Sequence, residues 1–174
     1  MGFKSMKRKN LWAPWRIGYI QGLVDKSECF FCKNIKTPQD DDKNFVLWRT
    51  KSCITVLNRF PYNNGHLLIA PVRHIPDFDA AGDDELLEMT KLTRDAQKAL
   101  TLAIKPHGFN IGINIGKCAG AGLPDHLHIH IVPRWTGDTN FVRTCSDTYL
   151  ISQSLTELLA ALKQISSKHG LPAL

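Results

Sequence analysis

The chain has 174 residues, a formal charge of +6 and five cysteines. That length suits one ordinary globular domain able to bury a core without disulfides, and no apolar run approaches the roughly 20 residues needed to cross a bilayer. Four of the positive charges, Lys4, Lys7, Arg8 and Lys9, sit in an unpatterned leader; without them the formal charge is about +2, which argues against a basic nucleic-acid-binding stripe. The N-terminus lacks the apolar core of a signal peptide, so a cytoplasmic protein with reduced thiols, no membrane partner and no specific nucleic-acid partner is expected.

Along the chain, Cys29-Phe30-Phe31-Cys32 comes first, with the two-residue gap of a zinc knuckle, although one such pair supplies only two of four ligands. The polar stretch from Thr37 to Lys43 reads as a solvated loop. Three strand patterns follow, Phe45 to Trp48, Cys53 to Leu57 and His66 to Ala70, the last two separated by the turn-rich Asn58 to Gly65. Asp83 and Asp84 then open a long helical pattern, with Leu86, Leu87, Met89, Leu92, Ala96, Ala99, Leu100 and Ala103 at three- and four-residue spacing, which should end before Pro106. Two more strands, Phe109 to Ile115 and Leu127 to Val132, flank the glycine-rich segment Gly116 to Pro124, and a last helix is expected around Leu155 to Ile165. The order predicts an α+β fold: an antiparallel sheet of about five strands, one long helix and a C-terminal helix.

His126-Leu127-His128-Ile129-His130-Ile131-Val132 carries the most chemistry. Strand alternation puts three imidazoles on one face and Leu127, Ile129 and Ile131 in the core. At about 3.3 Å per residue, His126 and His130 stand roughly 13 Å apart, so one ion cannot bind all three and at least one ring is left for proton transfer or nucleophilic attack. A neutral imidazole can attack phosphorus if its other nitrogen is protonated and held, and a backbone carbonyl suffices for that. The glycine-rich segment just upstream, with Gly120, Ala121 and Gly122, would let backbone amides approach an anion; Asn114 on the preceding strand would face the phosphates, and Lys117 would add charge.

The triad followed by Ile131-Val132, with Val56-Leu57-Asn58 and Asn64-Gly65-His66-Leu67-Leu68-Ile69-Ala70-Pro71, resembles the histidine-triad family of nucleotide hydrolases and transferases over about Cys29 to Asp138. The resemblance implies one such domain over the whole chain, with residues 1–28 an N-terminal extension, 29–138 the core, and 139–174 a C-terminal tail and helix. It implies that His128 is the nucleophile, that His130 and His66 lie beside the reacting phosphate, and that Asn58 contacts the nucleoside. Read from residues alone, Asn58 is equally a turn residue and His66 equally a strand cap. The resemblance further implies a structural zinc site formed by Cys29, Cys32, His74 and His126, and a homodimer with the long helix and a sheet edge at its interface.

The flanks Leu11 to Arg16 and Pro133 to Phe141 resemble the bacterial branch that includes diadenosine tetraphosphate phosphorylases. Trp12, Trp15 and Trp135 in these flanks could stack on adenine or serve as packing residues. The implied activity is cleavage of a dinucleoside polyphosphate through a nucleotidyl-histidine, with phosphate or water as acceptor. The alternatives are a nucleoside phosphoramidate hydrolase and a non-catalytic zinc and nucleotide-binding module. A hydrolase with catalytic metals on the histidine strand is disfavoured because no dense set of acidic ligands accompanies it. Uridylyl-transferase relatives are disfavoured because Leu127 stands where their motif has proline.

Overall fold

The structure is a computed structural model that describes residues 29–119, 125–138, 145 and 151–174. Its elements are helix α1 (Phe30–Lys36), strands β1 (Val46–Arg49), β2 (Cys53–Leu57) and β3 (Leu67–Pro71), helix α2 (Asp83–Ile104), strands β4 (Gly108–Ile113) and β5 (Ile129–Arg134), and helix α3 (Leu155–His169). The five strands form one sheet in the order β1-β2-β3-β5-β4, every neighbouring pair antiparallel. This is the expected α+β arrangement. The sequence reading missed α1, which has seven residues and is too short to show helical periodicity.

Each face of the sheet has its own core. On one face α2 and α3 bury Met89, Leu92, Ala96, Leu100, Leu158 and Leu162 against Leu57, Leu67, Ile69 and Ile131. The apolar residues of α2 recur every three or four positions, while Asp83, Asp84 and Glu85 complement the dipole at its start and the Gly82 amide donates to the Glu85 carboxylate at 2.9 Å. Lys105, left-handed at φ 48°, ends α2 just before Pro106. Ser154 caps α3 by accepting from the Glu157 amide, and Gly170 closes it. Trp48 Nε1 donates to Ser166 Oγ at 3.0 Å and ties α3 to the sheet edge. On the other face Phe31 of α1 packs on Val46, Ile54, Val56, Leu68 and Ala70.

The histidine segment is displaced from its expected register. The expected strand ran from Leu127 to Val132, whereas β5 begins at Ile129 and runs through Pro133 to Arg134. Pairing with β3 covers only Ile129 to Ile131, so Pro133 lies beyond it and needs no ladder donor on that side. Upstream, the Leu127 amide donates to the Ile75 carbonyl at 2.6 Å, so the backbone at Leu127 is pinned to the loop after β3 instead of to a strand. The face alternation survives, with Leu127 and Ile131 buried and Ile129 packed against the same core. Asn114, expected on β4, follows its last residue.

Candidate active site

The sheet face opposite the long helix carries two adjoining constellations, and His126 belongs to both. The first is a group of four ligand-type side chains. Cys29 Sγ lies 3.2 Å from His126 Nδ1, and Cys32 Sγ lies 3.2 Å from His74 Nδ1 and 3.7 Å from His126 Nδ1. All four ligand atoms fall within 4.8 Å of one another. Bonds of about 2.3 Å to sulfur and 2.0 Å to nitrogen give tetrahedral S···N edges of about 3.5 Å, so two thiolates and two imidazoles spaced this way suit a closed zinc site. Burial pushes the Cys29 thiol up to about 11, and a thiolate there needs a cation beside it. His126 is oriented for the task, because its Nε2 donates to the Pro71 carbonyl at 2.9 Å and leaves the Nδ1 lone pair toward the sulfurs. Chain folding explains the convergence: Cys29 is the N-cap of α1 and Cys32 lies in its first turn, and the Leu127–Ile75 bond draws the His74 loop onto His126.

The second constellation gathers His128, His130, His66 and Asn58. His128 Nδ1 donates to the backbone carbonyl of His126 at 2.7 Å, a bond that protonates Nδ1 and leaves the lone pair on Nε2. Burial holds the His128 pKa below the ordinary histidine value, so the ring is neutral and nucleophilic near pH 7. Phe31, wholly buried, sets its ring 5.0 Å from His126 and 5.5 Å from His128 and wedges both in place. His130 lies edge-on to His128 at 4.8 Å between centroids, and its Nδ1 is 2.9 Å from His66 Nε2. His130 Nε2 is buried and has no hydrogen-bond partner among the described residues. Burial and the neighbouring imidazoles lower His66 to about 3 and His130 to about 4, so both rings are neutral.

Asn58 lies at the rim with both ends of its amide engaged. Its Oδ1 accepts from the Phe60 amide at 2.9 Å and its Nδ2 lies 3.2 Å from His66 Nδ1. The structure therefore brings together His66, His128, His130 and Asn58, and separately Cys29, Cys32, His74 and His126. Asn114 is half-buried beyond β4, and Lys117 opens a short turn ending at Ala119. Gly120, Ala121 and Gly122, together with Trp12 and Trp15, lie outside the described residues. Trp135 Nε1 donates to the Lys105 carbonyl at 3.2 Å and so is tied to the end of α2. Sequence reasoning overlooked Phe31, hidden inside the cysteine motif, and Tyr62, whose ring stacks 5.7 Å from His130 and 4.6 Å from His66.

The HIT domain family model matches residues 39–137. The chain belongs to the HIT family. Among relatives of this HIT protein, a Mycobacterium tuberculosis protein named AP-4-A phosphorylase is 35% identical over 155 residues, covering 86% of this chain and 80% of the relative. A Schizosaccharomyces pombe asymmetrical bis(5'-nucleosyl)-tetraphosphatase is 33% identical over 93 residues, 53% of this chain and 50% of the relative. Among solved structures, a Zn-bound histidine triad family protein from Mycobacterium smegmatis superposes with a TM-score of 0.66 at 22% identity, covering 82% of this chain and 95% of the other. At that identity the likeness concerns the fold.

Proposed function

We propose that this HIT protein cleaves a phosphoanhydride of a dinucleoside polyphosphate, such as diadenosine tetraphosphate, by double displacement at His128. The observation that carries the reading is the 2.7 Å bond from His128 Nδ1 to the His126 carbonyl, which readies Nε2 as a nucleophile without an acidic partner. Nε2 attacks the α-phosphorus, the P–O bond to the remaining phosphates breaks, and ATP leaves, with an adenylyl group now on His128. The second acceptor attacks that phosphorus from the face ATP vacated: inorganic phosphate yields ADP, water yields AMP. His130 and His66 flank the phosphate, Asn58 lies at the nucleoside side, and the amides of Gly120, Ala121 and Gly122, with Asn114, stabilise the developing charge. The phosphorylase relative aligns over 86% of the chain against 53% for the tetraphosphatase, which supports phosphate as acceptor.

Cys29, Cys32, His74 and His126 would hold a structural zinc ion, whose contribution is to fix the segment carrying the His126 carbonyl. The edge strand β4 shows Ile111 at 46% exposure, and Leu102 and Ile115 are also exposed. An unpaired apolar edge of this kind supports a homodimer built across β4 and α2. Among the described residues no helix is long and apolar enough to cross a membrane. The cysteines among them are free thiols, which supports a reducing, cytoplasmic setting for the protein.

Incubating the protein with diadenosine tetraphosphate, with and without inorganic phosphate, tests the reading. ATP plus ADP formed only with phosphate is the expected result. ATP plus AMP assigns water as acceptor, and no cleavage under either condition overturns the proposal.

A further inference from the structure

The hydrogen bonds that end on His130 have a direction, and two residues outside the triad set it. Asn58 Oδ1 accepts from the Phe60 amide at 2.9 Å, which fixes the orientation of the side-chain amide and turns its N–H groups toward His66 Nδ1, 3.2 Å away. The Tyr62 backbone N–H donates to the same Nδ1, also at 3.2 Å. A nitrogen facing two donors must accept, so the proton of the neutral His66 ring lies on Nε2. From there it is donated to His130 Nδ1 at 2.9 Å, and the proton of His130 is thereby placed on its own Nε2. That atom is buried and has no partner among the described residues. The chain thus ends on an N–H that no described residue receives, a position suited to an acceptor oxygen and hostile to a cation.

We propose that Asn58 and Tyr62 are positioning residues that lock the tautomers of His66 and His130, so that His130 meets substrate as a fixed N–H donor to a phosphoryl oxygen. The two residues do different work. Asn58 and the Tyr62 amide set the proton order, while the Tyr62 ring, nearly parallel to His130 at 19° and close against His66, packs on both imidazoles and restricts their rotation. A fixed donor costs no reorganisation when charge develops on the phosphoryl oxygens, whereas a rotating or reversed imidazole would present a lone pair to an anion. The inference uses the proposed His128 chemistry to name what the donor meets, but the proton order stands on these hydrogen bonds alone.

Two-bond 1H–15N correlation spectra of the histidines in the 15N-labelled protein read that order directly. The expected spectrum has His66 and His130 protonated on Nε2 and His128 protonated on Nδ1. Asn58→Asp puts a carboxylate against His66 Nδ1 and draws a proton onto it; kcat should then fall about 100-fold, the usual cost of losing one such donor, with a smaller change in KM. Tyr62→Ala retains the amide and loses the ring, so the tautomers persist while kcat falls roughly tenfold, and Tyr62→Phe recovers most of that loss. A parent spectrum with the proton on Nδ1 of His66 or His130 overturns the proposal, and it does so even if Asn58→Asp fails to fold. Tyr62→Ala at parental kcat overturns the role of the ring. An adenylylated His128 is detected separately by mass, so loss of this inference and loss of the nucleophile assignment are distinguishable.

Discussion

His66 is a fully buried histidine packed between the Tyr62 ring and the His130 imidazole, and it stays neutral at a cost that appears in stability. Its pKa of about 3 and that of His130, about 4, lie below the unfolded value near 6.5. The unfolded chain therefore binds more protons between those limits, and the stability due to the pair is complete above pH 6.5 and falls as pH drops toward the folded values. The loss at pH 5 is on the order of 2 kcal/mol per histidine. Urea melts between pH 7 and 4.5 check this: the midpoint should fall with pH, and His66→Gln should flatten the slope. A parent midpoint that stays level over that interval would contradict the assignment of neutral, buried rings.

At the scale of elements, the turn between β2 and β3 depends on one glycine. Gly65 has φ +79°, and a Cβ there would lie 2.7 Å from Ile104 Cδ1 and 3.1 Å from Leu100 Cδ2, so α2 sits directly on the backbone that delivers His66. Gly65→Ala should cost about 2 kcal/mol from combined strain and overpacking, read as a lowered urea midpoint at unchanged slope. β4 offers a second prediction: if its edge joins two chains, Ile111→Asp should convert a dimer to monomers in light scattering, and an unchanged mass would remove β4 from the interface. The sheet and both longer helices were legible because their apolar residues repeat over many positions and because Asp83 and Asp84 open the long one, although α3 runs past the expected Ile165 to His169. The start of β5 was not, since alternation at Leu127 and Ile129 looks the same whether the backbone pairs with a strand or, as here, with the carbonyl of Ile75. Helix α1 escaped for want of length. The alternating histidines and the Cys29–Cys32 pair were legible from spacing, and Asn58, His66 and His74 only through the family resemblance, whereas the engagement of Asn58 with His66 and the stacking of Tyr62 depend on a turn whose shape no periodicity encodes.

For the molecule as a whole, His126 joins stability to chemistry. Its ring closes the Cys29, Cys32 and His74 group, and its carbonyl holds His128. Stripping bound metal with a chelator should lower the melting temperature on the order of 10 °C and be reversed by zinc. Cys32→Ser should reproduce the loss, and a chelator-treated protein that melts at the parental temperature would exclude a structural ion. The Phe31 wedge, anchored between the two cysteines, carries the same disturbance to His128, so metal loss should reduce turnover through geometry. The proposed mechanism turns on one event, a transient bond between His128 Nε2 and phosphorus. Rapid acid-free quenching of the protein with diadenosine tetraphosphate, followed by intact and peptide mass spectrometry, tests it most directly. The account predicts a single adenylyl adduct on His128 in the parent and none in His128→Ala. A full rate of turnover by His128→Ala, or an adduct mapped to another side chain, would contradict it.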